Sequence, residues 1–522
     1  MKAVKFFALF SIVLSFSGAV AQTLEMDWGQ AVDLEKNHWY QKIIGSDKEG
    51  FFAIKSEGIL GINDETLTLE YYSATMNARE SANDLIMPTV AGAPTHYEAM
   101  FYLNSKLILF TSATGASGKV LYVQYLNSDG SLKNKPKEVG SVSSSNAATD
   151  GFNFKEREDG KIMIYYHNTF ASYNNEPFTY KVMNSDLIEE VNVSLELPLK
   201  DMSFELIQSE MGKNNDIYML AKVEKPKDKK KASAGEEYDY KVIVYTLKKK
   251  EFHPFPVSAD KYVPSHTIMG LDLNGNIVVG GFFANKTVKV AGEFMGVFYN
   301  RINPNTLKAD LIDPKKNVKI FTKEIVAEFS QIRNGETSDK YYSYVMKDLV
   351  FFMNGGFAFV GEQEYSTSTT IIAPGTKQET KIDYYYYNDL LICGANKEGA
   401  LDWQVRIAKN QNSSDDKGYY HSVATFVDAN KLKIIYNDNR ANLNNKVAEK
   451  TKELKNNPVL IPKGQAVIAT LYSDGSYEKY PMFKDDAVKM IIVPRMISKM
   501  GKRFLTYAQD GKSVKFGSFV FE

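Results

Sequence analysis

Apolar and polar positions alternate in short runs along this chain, and one type of run recurs eight times. Each copy opens with a polar turn containing glycine or asparagine and continues into mainly apolar residues, a pattern typical of a buried β-strand. The copies are Gly50–Ile54, Ser105–Phe110, Asp159–His167, Asn215–Leu220, Gly275–Gly280, Gly355–Val360, Asn430–Tyr436 and Gly501–Tyr507. Because self-similarity along a whole chain is the signature of repeat architectures, the pattern predicts an array or a propeller.

Shorter alternating runs stand on both sides of these copies. Trp39–Ile44 and His421–Phe426 precede a copy, whereas Val120–Tyr125 and Val467–Tyr472 follow one. Several of the following runs end in turns such as Ser473–Ser476, where glycine provides the backbone conformation that a tight hairpin requires. Another strand then follows, so each repeat predicts four antiparallel strands, which is the content of a propeller blade.

The two ends of the chain complement each other. The last repeat reaches Glu522 one strand short, whereas Leu24–Val32 precedes the first complete repeat and belongs to none. We therefore predict a single all-β domain over residues 22–522, a β-propeller of four-stranded antiparallel blades. The N-terminal strand 24–32 closes the ring by completing the last blade. Eight blades are preferred, and seven are the alternative.

The first residues have the pattern of a secretory signal peptide over residues 1–21. Lys2 and Lys5 precede the apolar run Phe6–Phe16, and Ala19–Ala21 offers a cleavage site of small residues. The apolar run is too short to span a membrane, since spanning takes about 20 apolar residues. We predict export to the periplasm or the extracellular space, without a membrane span. No cysteine stands directly after the apolar run, at the new N-terminus, so no lipid anchor is expected there.

Longer repeats in the second half of the chain predict insertions near residues 314–340 and 440–458. In the first insertion, Phe321, Ile325 and Phe329 recur at helical spacing, which predicts an amphipathic helix packed over a blade. The second insertion is polar and rich in lysine, which is typical of a short exposed helix or a loop.

Composition and motifs exclude several function classes. Basic and acidic residues both number 63, so no basic field favours a nucleic-acid partner. Cys393, the one cysteine of the sequence, lies in an apolar run and predicts a buried core residue. The six histidines show no zinc-ligand spacing, and oxygen-rich pieces such as Asn437–Asn439 match no calcium loop. We predict no cofactor, with calcium left open.

Aromatic residues are the one compositional excess, at 13% of the chain. Tyrosines cluster late in the sequence, and half of those in a strand should face away from the core because side chains alternate between the two faces. Exposed tyrosines offer flat contact area for a protein or a sugar ring. The candidate contacts with a ligand or partner are Tyr342, Tyr385, Tyr387, Tyr419 and Tyr420. The alternative for these residues is packing between sheets.

The eight turn-strand copies, with Asn396–Trp403 and Leu471–Tyr477, resemble the β-propeller group. More loosely, they resemble the secreted, uncharacterised propeller-like proteins of Bacteroidota. The resemblance implies a rigid disk whose loops or central opening bind something, but a fold by itself does not name an activity. The chain lacks the Trp-Asp, kelch and sialidase-type motifs of the best-marked subfamilies, so no functional residues can be transferred.

The favoured functional expectation is a non-catalytic, exported binding or scaffold protein of the bacterial cell envelope. Its partner would be an envelope protein, and an accessory role in a secretion or surface machine is one form of this. The alternatives are a carbohydrate- or peptide-processing enzyme with its site at the central channel, and a glycan-binding module. Ionisable side chains that converge at the channel mouth would favour the enzyme, whereas a broad apolar patch would favour the scaffold.

Overall fold

The structure of the protein is a computed structural model, and the parts of the chain that it describes are separated by short gaps. The described residues are 24–59, 61–76, 79–115, 118–142, 151–167, 177–199, 204–225, 238–285, 294–325, 344–372, 379–444, 451–456, 464–483 and 490–521. The predicted signal peptide at residues 1–21 and the candidate Tyr342 lie outside them. No helix within them is long and apolar enough to cross a membrane.

The described residues form eight sheets of four or more strands and one separate two-stranded hairpin. Two short strands precede the first sheet, namely β1 (Met26–Trp28) and β2 (Val32–Asp33). Sheet 1 contains β3 (His38–Ser46), β4 (Gly50–Glu57), β5 (Thr68–Ser73) and β6 (Arg79–Asp84), and the hairpin contains β7 (Thr89–Val90) and β8 (Ala93–Pro94). Sheet 2 contains β9 (His96–Leu103), β10 (Lys106–Gly115), β11 (Gly118–Leu126) and β12 (Lys137–Val142).

In sheets 1 and 2 the strands pair in chain order as an antiparallel meander, and sheets 3 to 5 repeat this arrangement. Sheet 3 contains β13 (Asn153–Glu156), β14 (Ile162–His167), β15 (Pro177–Met183) and β16 (Glu189–Glu196). Sheet 4 contains β17 (Phe204–Met211), β18 (Ile217–Glu224), β19 (Tyr238–Thr246) and β20 (Glu251–Pro256). Sheet 5 contains β21 (Val263–Leu271), β22 (Ile277–Ala284), β23 (Gly296–Asn303), β24 (Lys308–Ala309) and β25 (Val318–Ile320).

Sheets 6 to 8 depart from the simple meander. Sheet 6 contains β26 (Tyr344–Phe351), β27 (Phe357–Ile372), β28 (Glu379–Ala395), β29 (Leu401–Ser414) and β32 (Leu454–Asn456). Sheet 7 contains β30 (Ala424–Asp428), β31 (Lys431–Asn439), β33 (Gly464–Tyr472) and β34 (Tyr477–Pro481). Sheet 8 combines β35 (Ile491–Ile492), β36 (Ser498–Met500), β37 (Arg503–Asp510) and β38 (Ser513–Phe519) with β1 and β2. The 3₁₀ turns span Asp64–Thr66, Arg440–Asn442 and Pro494–Met496.

All eight copies of the sequence repeat form the second strand of a sheet, from β4 in sheet 1 to β37 in sheet 8. A second strand has neighbours on both edges and sheets on both faces, which explains its nearly continuous apolar sequence. The turn before it uses residues with positive φ, such as Asn215 at 61° and Gly275 at 78°. Asparagine and glycine tolerate this conformation best.

The hydrophobic core consists of separate layers, each between two consecutive sheets. Within the described residues, buried apolar side chains form eight clusters. One pair represents each layer, taken in order around the ring. The order starts with the layer between sheets 1 and 2 and ends with the layer between sheets 8 and 1. The pairs are Ile54 with Leu109, Phe110 with Ile164, Val182 with Met219, Val244 with Phe298, Phe282 with Phe359, Ile392 with Ile434, Ile468 with Phe519 and Phe516 with Phe51. Because the last layer returns to the first sheet, the sheets form a closed ring.

The first strand of each sheet lies nearest the axis of this ring. Contacts between first strands of neighbouring sheets join β3 to β9, β17 to β21, β21 to β26 and β26 to β30. The opposite edge of sheet 8 is completed by the N-terminus, since Met26 pairs with Phe519 and Val32 pairs with Val514. The predicted all-β propeller, closed by its N-terminal strand, is confirmed. The blade number of eight stays a prediction, with which the eight described sheets agree.

Two irregularities shape the face of the ring at which the first strands begin, here called the upper face. In sheet 6, β27 and β28 are 16 and 17 residues long, whereas the first strand β26 has 8. Their far ends therefore project above this face as a β-hairpin arm. In sheet 8 the first strand is interrupted between β35 and β36 by the 3₁₀ turn Pro494–Met496. Proline lacks the N–H group that a strand would need, and it favours the first position of a helical turn.

The two predicted insertions are partly described. Phe321 and Ile325 are buried in the layer between sheets 5 and 6, and residues 323–325 are helical, whereas 326–343 lie outside the described residues. In the second insertion Leu454 is buried and β32 pairs in parallel with β29. The buried amide of Asn442 binds Asp438 and the backbone of Lys452. The described parts of this insertion therefore pack on the propeller, in contrast to the expected exposed helix or loop.

Candidate functional site

A fully buried ion pair lies in sheet 6 near the upper face. The Lys409 ammonium on β29 is 2.5 Å from Oε1 of Glu362 on β27, and neither side chain is exposed. Lys409 also donates to the Tyr387 carbonyl oxygen at 2.9 Å and to Gln411 Oε1 at 2.8 Å. Burial lowers the pKa of Lys409, and the charge of Glu362 opposes that effect. Because its ammonium donates to three acceptors at once, Lys409 holds Glu362, Tyr387 and Gln411 in position.

The second oxygen of Glu362 faces the channel side of the sheet. Ser422, in the loop before β30, donates its hydroxyl hydrogen to Glu362 Oε2 at 2.5 Å. Lys347 on the first strand β26 has its ammonium 3.4 Å from the same oxygen and also pairs with Glu364. Burial alone would lower the pKa of Lys347, but the two carboxylates raise it above its usual value. The lysine therefore stays charged.

Tyr387 stands beside this network on β28, directly opposite Glu364 across the strand pair. Its ring centroid is 5.7 Å from the Lys347 ammonium, and the ring lies against the backbone of Gly418 in the turn after β29. Tyr387 is half-buried. Burial, followed by the charges of Glu364 and Glu362, raises the pKa of Tyr387 well above its usual value. The phenol keeps its proton at neutral pH and can donate it to a bound molecule.

His421 packs behind Tyr387, with 5.8 Å between the ring centroids. The imidazole is buried, and burial lowers the pKa of His421 to about 3. The nearby backbone of Asn412 and the charge of Lys409 have smaller effects of opposite sign. The imidazole is therefore neutral at any physiological pH and supports the Tyr387 ring by packing rather than by charge.

Arg495 reaches the same place from sheet 8. It lies in the 3₁₀ turn Pro494–Met496, which carries it out of the first strand, and its side chain is exposed. Its Nη2 donates to the Tyr419 carbonyl oxygen at 3.1 Å, and its guanidinium carbon is 4.6 Å from the Tyr419 ring centroid. Surrounding protein lowers the pKa of Arg495 by desolvation, but the guanidinium remains charged. Among the described residues, no carboxylate forms a salt bridge with it.

These groups form one constellation, here called the mouth cluster. Its members are Lys347, Glu362, Glu364, Tyr387, Lys409, His421, Ser422 and Arg495. Sheet 6, the loop between sheets 6 and 7, and sheet 8 contribute to it, and several members lie on or next to first strands, which surround the axis. The cluster therefore lies at the upper mouth of the central channel. Convergent ionisable groups with shifted pKa values at this place are the feature that was expected to favour an enzyme.

The predicted tyrosine contacts fall into two groups. Tyr385 and Tyr387 are half-buried on β28, so their contact with a ligand stays a prediction. Tyr419 and Tyr420 are fully buried, contrary to the exposed role expected for them. The Tyr419 hydroxyl donates to the Tyr40 carbonyl oxygen, and the Tyr420 hydroxyl donates to Gln509, both at 2.7 Å. Packing between sheets, the alternative for these two residues, describes them correctly.

The other candidate chemistry does not converge on a site. In the described part of the chain, no three histidine, cysteine, aspartate or glutamate side chains are placed to hold a metal ion. Asp438, from the oxygen-rich piece considered for calcium, is buried and paired with Lys479 at 3.2 Å. Cys393 is buried in the layer between sheets 5 and 6, as predicted, and burial raises the pKa of its thiol.

Comparison with known proteins gives structural similarity only. No protein-family model and no curated protein sequence matches the chain. A PL25 ulvan lyase solved with a bound saccharide matches with a TM-score of 0.38 and 10% identity, covering 88% of this chain and 96% of that one. A Penicillium chrysogenum α-L-arabinanase matches with 0.31 and 12%, covering 55% and 84%. A eukaryotic initiation factor matches with 0.33 and 10%, covering 87% and 90%.

The favoured expectation of a non-catalytic scaffold is contradicted by this comparison. Several of the similar structures are carbohydrate-active enzymes, among them the lyase, the arabinanase and an arabinofuranosidase from Fusarium graminearum. Similarity at these identities and TM-scores assigns neither a reaction nor a substrate to this chain.

Proposed function

We propose that this chain is an exported carbohydrate-processing enzyme that cleaves glycosidic bonds at the mouth cluster. One observation carries the proposal. A protonated, half-buried phenol, that of Tyr387, lies opposite Glu364 on the neighbouring strand and near the charge of Arg495 at the mouth of the channel. The pattern of a signal peptide at residues 1–21 supports export, which would bring the enzyme to extracytoplasmic polysaccharides.

The roles follow from the state of each group. Glycosidic cleavage needs an acid that protonates the leaving oxygen and a base that removes a proton from water or from the sugar. Tyr387 supplies the acid, because its phenol carries a proton at neutral pH and lies beside Glu364 in the strand register. Glu364 supplies the base from the opposite strand, and its ion pair with Lys347 orients it. Arg495 donates hydrogen bonds to oxygens of the bound sugar.

Peptide hydrolysis through a covalent intermediate fits the cluster less well. Such a reaction needs a serine or cysteine activated by a neighbouring base. Ser422 donates to Glu362, whose carboxylate is fully buried and already faces Lys347 and Lys409. The oxygens of this carboxylate are therefore occupied by partners within the protein and are not exposed to a substrate. An acid–base pair acting on a sugar therefore agrees better with the groups present.

The test uses the purified full chain with a neutral arabinan and a uronate-containing polysaccharide. New reducing ends would report hydrolysis, and additional ultraviolet absorbance by an unsaturated sugar would report elimination. Tyr387→Phe should reduce turnover by at least about a hundredfold, since general acids contribute roughly 10²–10⁴. Tyr384→Phe is the matched control on the opposite face of the same strand and should retain activity. Binding of both polysaccharides without turnover would overturn the enzyme proposal in favour of a glycan-binding module.

A further inference from the structure

The β-hairpin arm of sheet 6 begins at the mouth cluster and continues outward from it. Within the described residues, β26 pairs with β27 as far as Gln363, whereas β27 and β28 stay paired up to Ile372 and Glu379. The arm is thus an extension of the strands that carry Glu364 and Tyr387. Any molecule bound at those two residues and extending above the upper face along these strands would meet the arm.

The register of the arm defines the face that continues the site. Glu364 is opposite Tyr387, and the next alternate pairs are Ser366 with Tyr385, Ser368 with Asp383, and Thr370 with Lys381. Alternate residues of a strand share a face. These four pairs therefore form one row, here called the arm platform, that starts at the proposed catalytic pair. With about 3.4 Å per residue, the row from Tyr387 to Lys381 is roughly 20 Å long, enough for several sugar units.

The chemistry of the arm platform suits a sugar chain. Ser366 and Ser368 are exposed, and Tyr385 is half-buried. Asp383 accepts a hydrogen bond from Ser368 and pairs with the Lys381 ammonium at 3.0 Å. Hydroxyl, carboxylate and ammonium groups can exchange hydrogen bonds with sugar hydroxyls, and an aromatic ring offers a flat apolar surface to the C–H face of a sugar.

The opposite face of the arm also carries tyrosines. There, Tyr365 and Tyr386 stack on each other with 4.5 Å between the ring centroids and 15° between the planes. Each of these rings therefore already has an aromatic partner. Tyr385, on the platform face, has no aromatic partner among the described residues. Tyr384 on the opposite face likewise has no aromatic partner among the described residues, so the platform face is distinguished by its continuity with Glu364 and Tyr387 in one row.

We propose that the arm platform binds the sugar units next to the cleaved bond, so that the substrate is a polysaccharide chain and not a short oligosaccharide. This inference rests on the proposed function for its catalytic pair and goes beyond it in the substrate class. Tyr385 provides the stacking surface, and the polar pairs Ser368–Asp383 and Thr370–Lys381 contact more distant units. Each contributes to binding of the long substrate and none to the chemical step.

The experiment compares Tyr385→Ala with Tyr384→Ala, its neighbour on the opposite face of the same strand. On the polysaccharide cleaved by the wild type, Tyr385→Ala should raise KM about fivefold to tenfold, the loss expected for one aromatic contact. On the shortest oligosaccharide that is still cleaved, kcat and kcat/KM should stay unchanged. Tyr384→Ala should leave both substrates unaffected, and unaltered circular dichroism would show that both variants are folded. Equal effects of Tyr385→Ala on long and short substrates, or no effect on either, would overturn the arm platform.

A binding measurement separates failure of this inference from failure of the proposed function. Retardation of the protein in native gels containing the arabinan or the uronate-containing polysaccharide needs no turnover. Retardation that Tyr385→Ala loses and Tyr384→Ala keeps would support the platform, even if no glycosidic bond is cleaved. Retardation that is absent, or identical in the two variants, would contradict it. Asp383→Asn, which keeps the size of the side chain, should weaken retardation in the same direction as Tyr385→Ala.

Discussion

Gly418 lies so close to Tyr387 that a Cβ atom at position 418 would stand 2.3 Å from Cε2 of the tyrosine ring. The turn that contains Gly418 follows β29, and its φ of 69° is a conformation that glycine adopts at little cost. Glycine at this position therefore does two things. It allows the turn, and it leaves the space in which the phenol of the proposed acid is held.

Gly418→Ala should consequently impair catalysis more than stability. The methyl group must displace the Tyr387 ring, and displacement of an acid from its reacting position by about 1 Å can cost about a hundredfold in rate. Gly275→Ala is the matched control, because its φ is 78° and a Cβ atom at this position would have no atom within 4 Å. Both variants carry a similar backbone strain of about 1 kcal/mol. Polysaccharide turnover and urea unfolding of the two proteins would be compared, and equal turnover would contradict the positioning role of Gly418.

The buried pair Lys409–Glu362 should dominate the response of the fold to substitution within the mouth cluster. Lys409→Met removes one partner of a fully buried ion pair and should lower the free energy of unfolding by about 3 kcal/mol. Lys48→Met removes the exposed pair with Glu49, at 3.2 Å, and should change it by less than about 1 kcal/mol. Urea titration measures both. A Lys409→Met protein as stable as Lys48→Met would show that Glu362 is adequately satisfied by Lys347 and Ser422 alone.

Features that depend on residues close together in the sequence could be predicted from it, whereas features that depend on contacts between distant blades could not. The repeat is local, since a polar turn followed by an apolar run is enough to define each second strand. The closing N-terminal strand also follows, because counting strands leaves one missing at one end and one spare at the other. The mouth cluster could not be predicted in this way. Its members lie between Lys347 and Arg495 in two sheets and a connecting loop, and only the order of the blades brings them together.

A weak signal of the cluster was nevertheless present. Glu362 and Lys409 interrupt apolar strands at positions that face inward, where an isolated charge is unfavourable and a partner is expected. The burial of Tyr419 and Tyr420 had no such signal. Trp39, at the start of sheet 1, covers both rings, with centroid distances of 5.3 and 6.3 Å. The contact joins residues almost four hundred positions apart and depends on closure of the ring.

His421 should make the stability of the protein depend on pH. The unfolded chain binds a proton on this imidazole below about pH 6.5, whereas the folded chain does so only near pH 3. As the pH falls below about 6.5, protonation of His421 stabilises the unfolded chain but not the folded one. The stability that the neutral histidine contributes is therefore lost progressively between about pH 6.5 and about pH 3. At one pH unit per 1.36 kcal/mol, the loss from about pH 7 to about pH 5 is roughly 2 kcal/mol.

His421→Gln isolates this contribution, because glutamine does not titrate. Urea unfolding of the wild type and the variant at about pH 7 and about pH 5 gives the difference directly, and the carboxylates that titrate at lower pH are common to both proteins. The wild type should lose roughly 2 kcal/mol more than the variant over this interval. A parallel decline of the two proteins would mean that the imidazole reaches solvent and becomes protonated without unfolding.

Closure of the ring should depend on Trp28 more than on the ion pair beside it. Trp28 on β1 pairs with Gly517, and its ring lies 5.2 Å from that of Phe483 at the end of sheet 7. The indole thus fastens the N-terminal strand to two sheets at once, whereas the neighbouring Asp27 contacts Arg503 through a pair of largely exposed side chains.

Trp28→Ala removes apolar contact worth about 2 kcal/mol, while Asp27→Ala removes a surface pair worth less than about 1 kcal/mol. Lys36 lies in an exposed turn, and local detachment of β1 and β2 frees the backbone beside it to enter the active site of trypsin, so the rate of cleavage there reports the opening equilibrium. We expect cleavage at least about tenfold faster in Trp28→Ala and nearly unchanged in Asp27→Ala. Equal rates would show that backbone pairing with β38 alone holds the strand, and that the side chain of Trp28 does not contribute to closing the propeller.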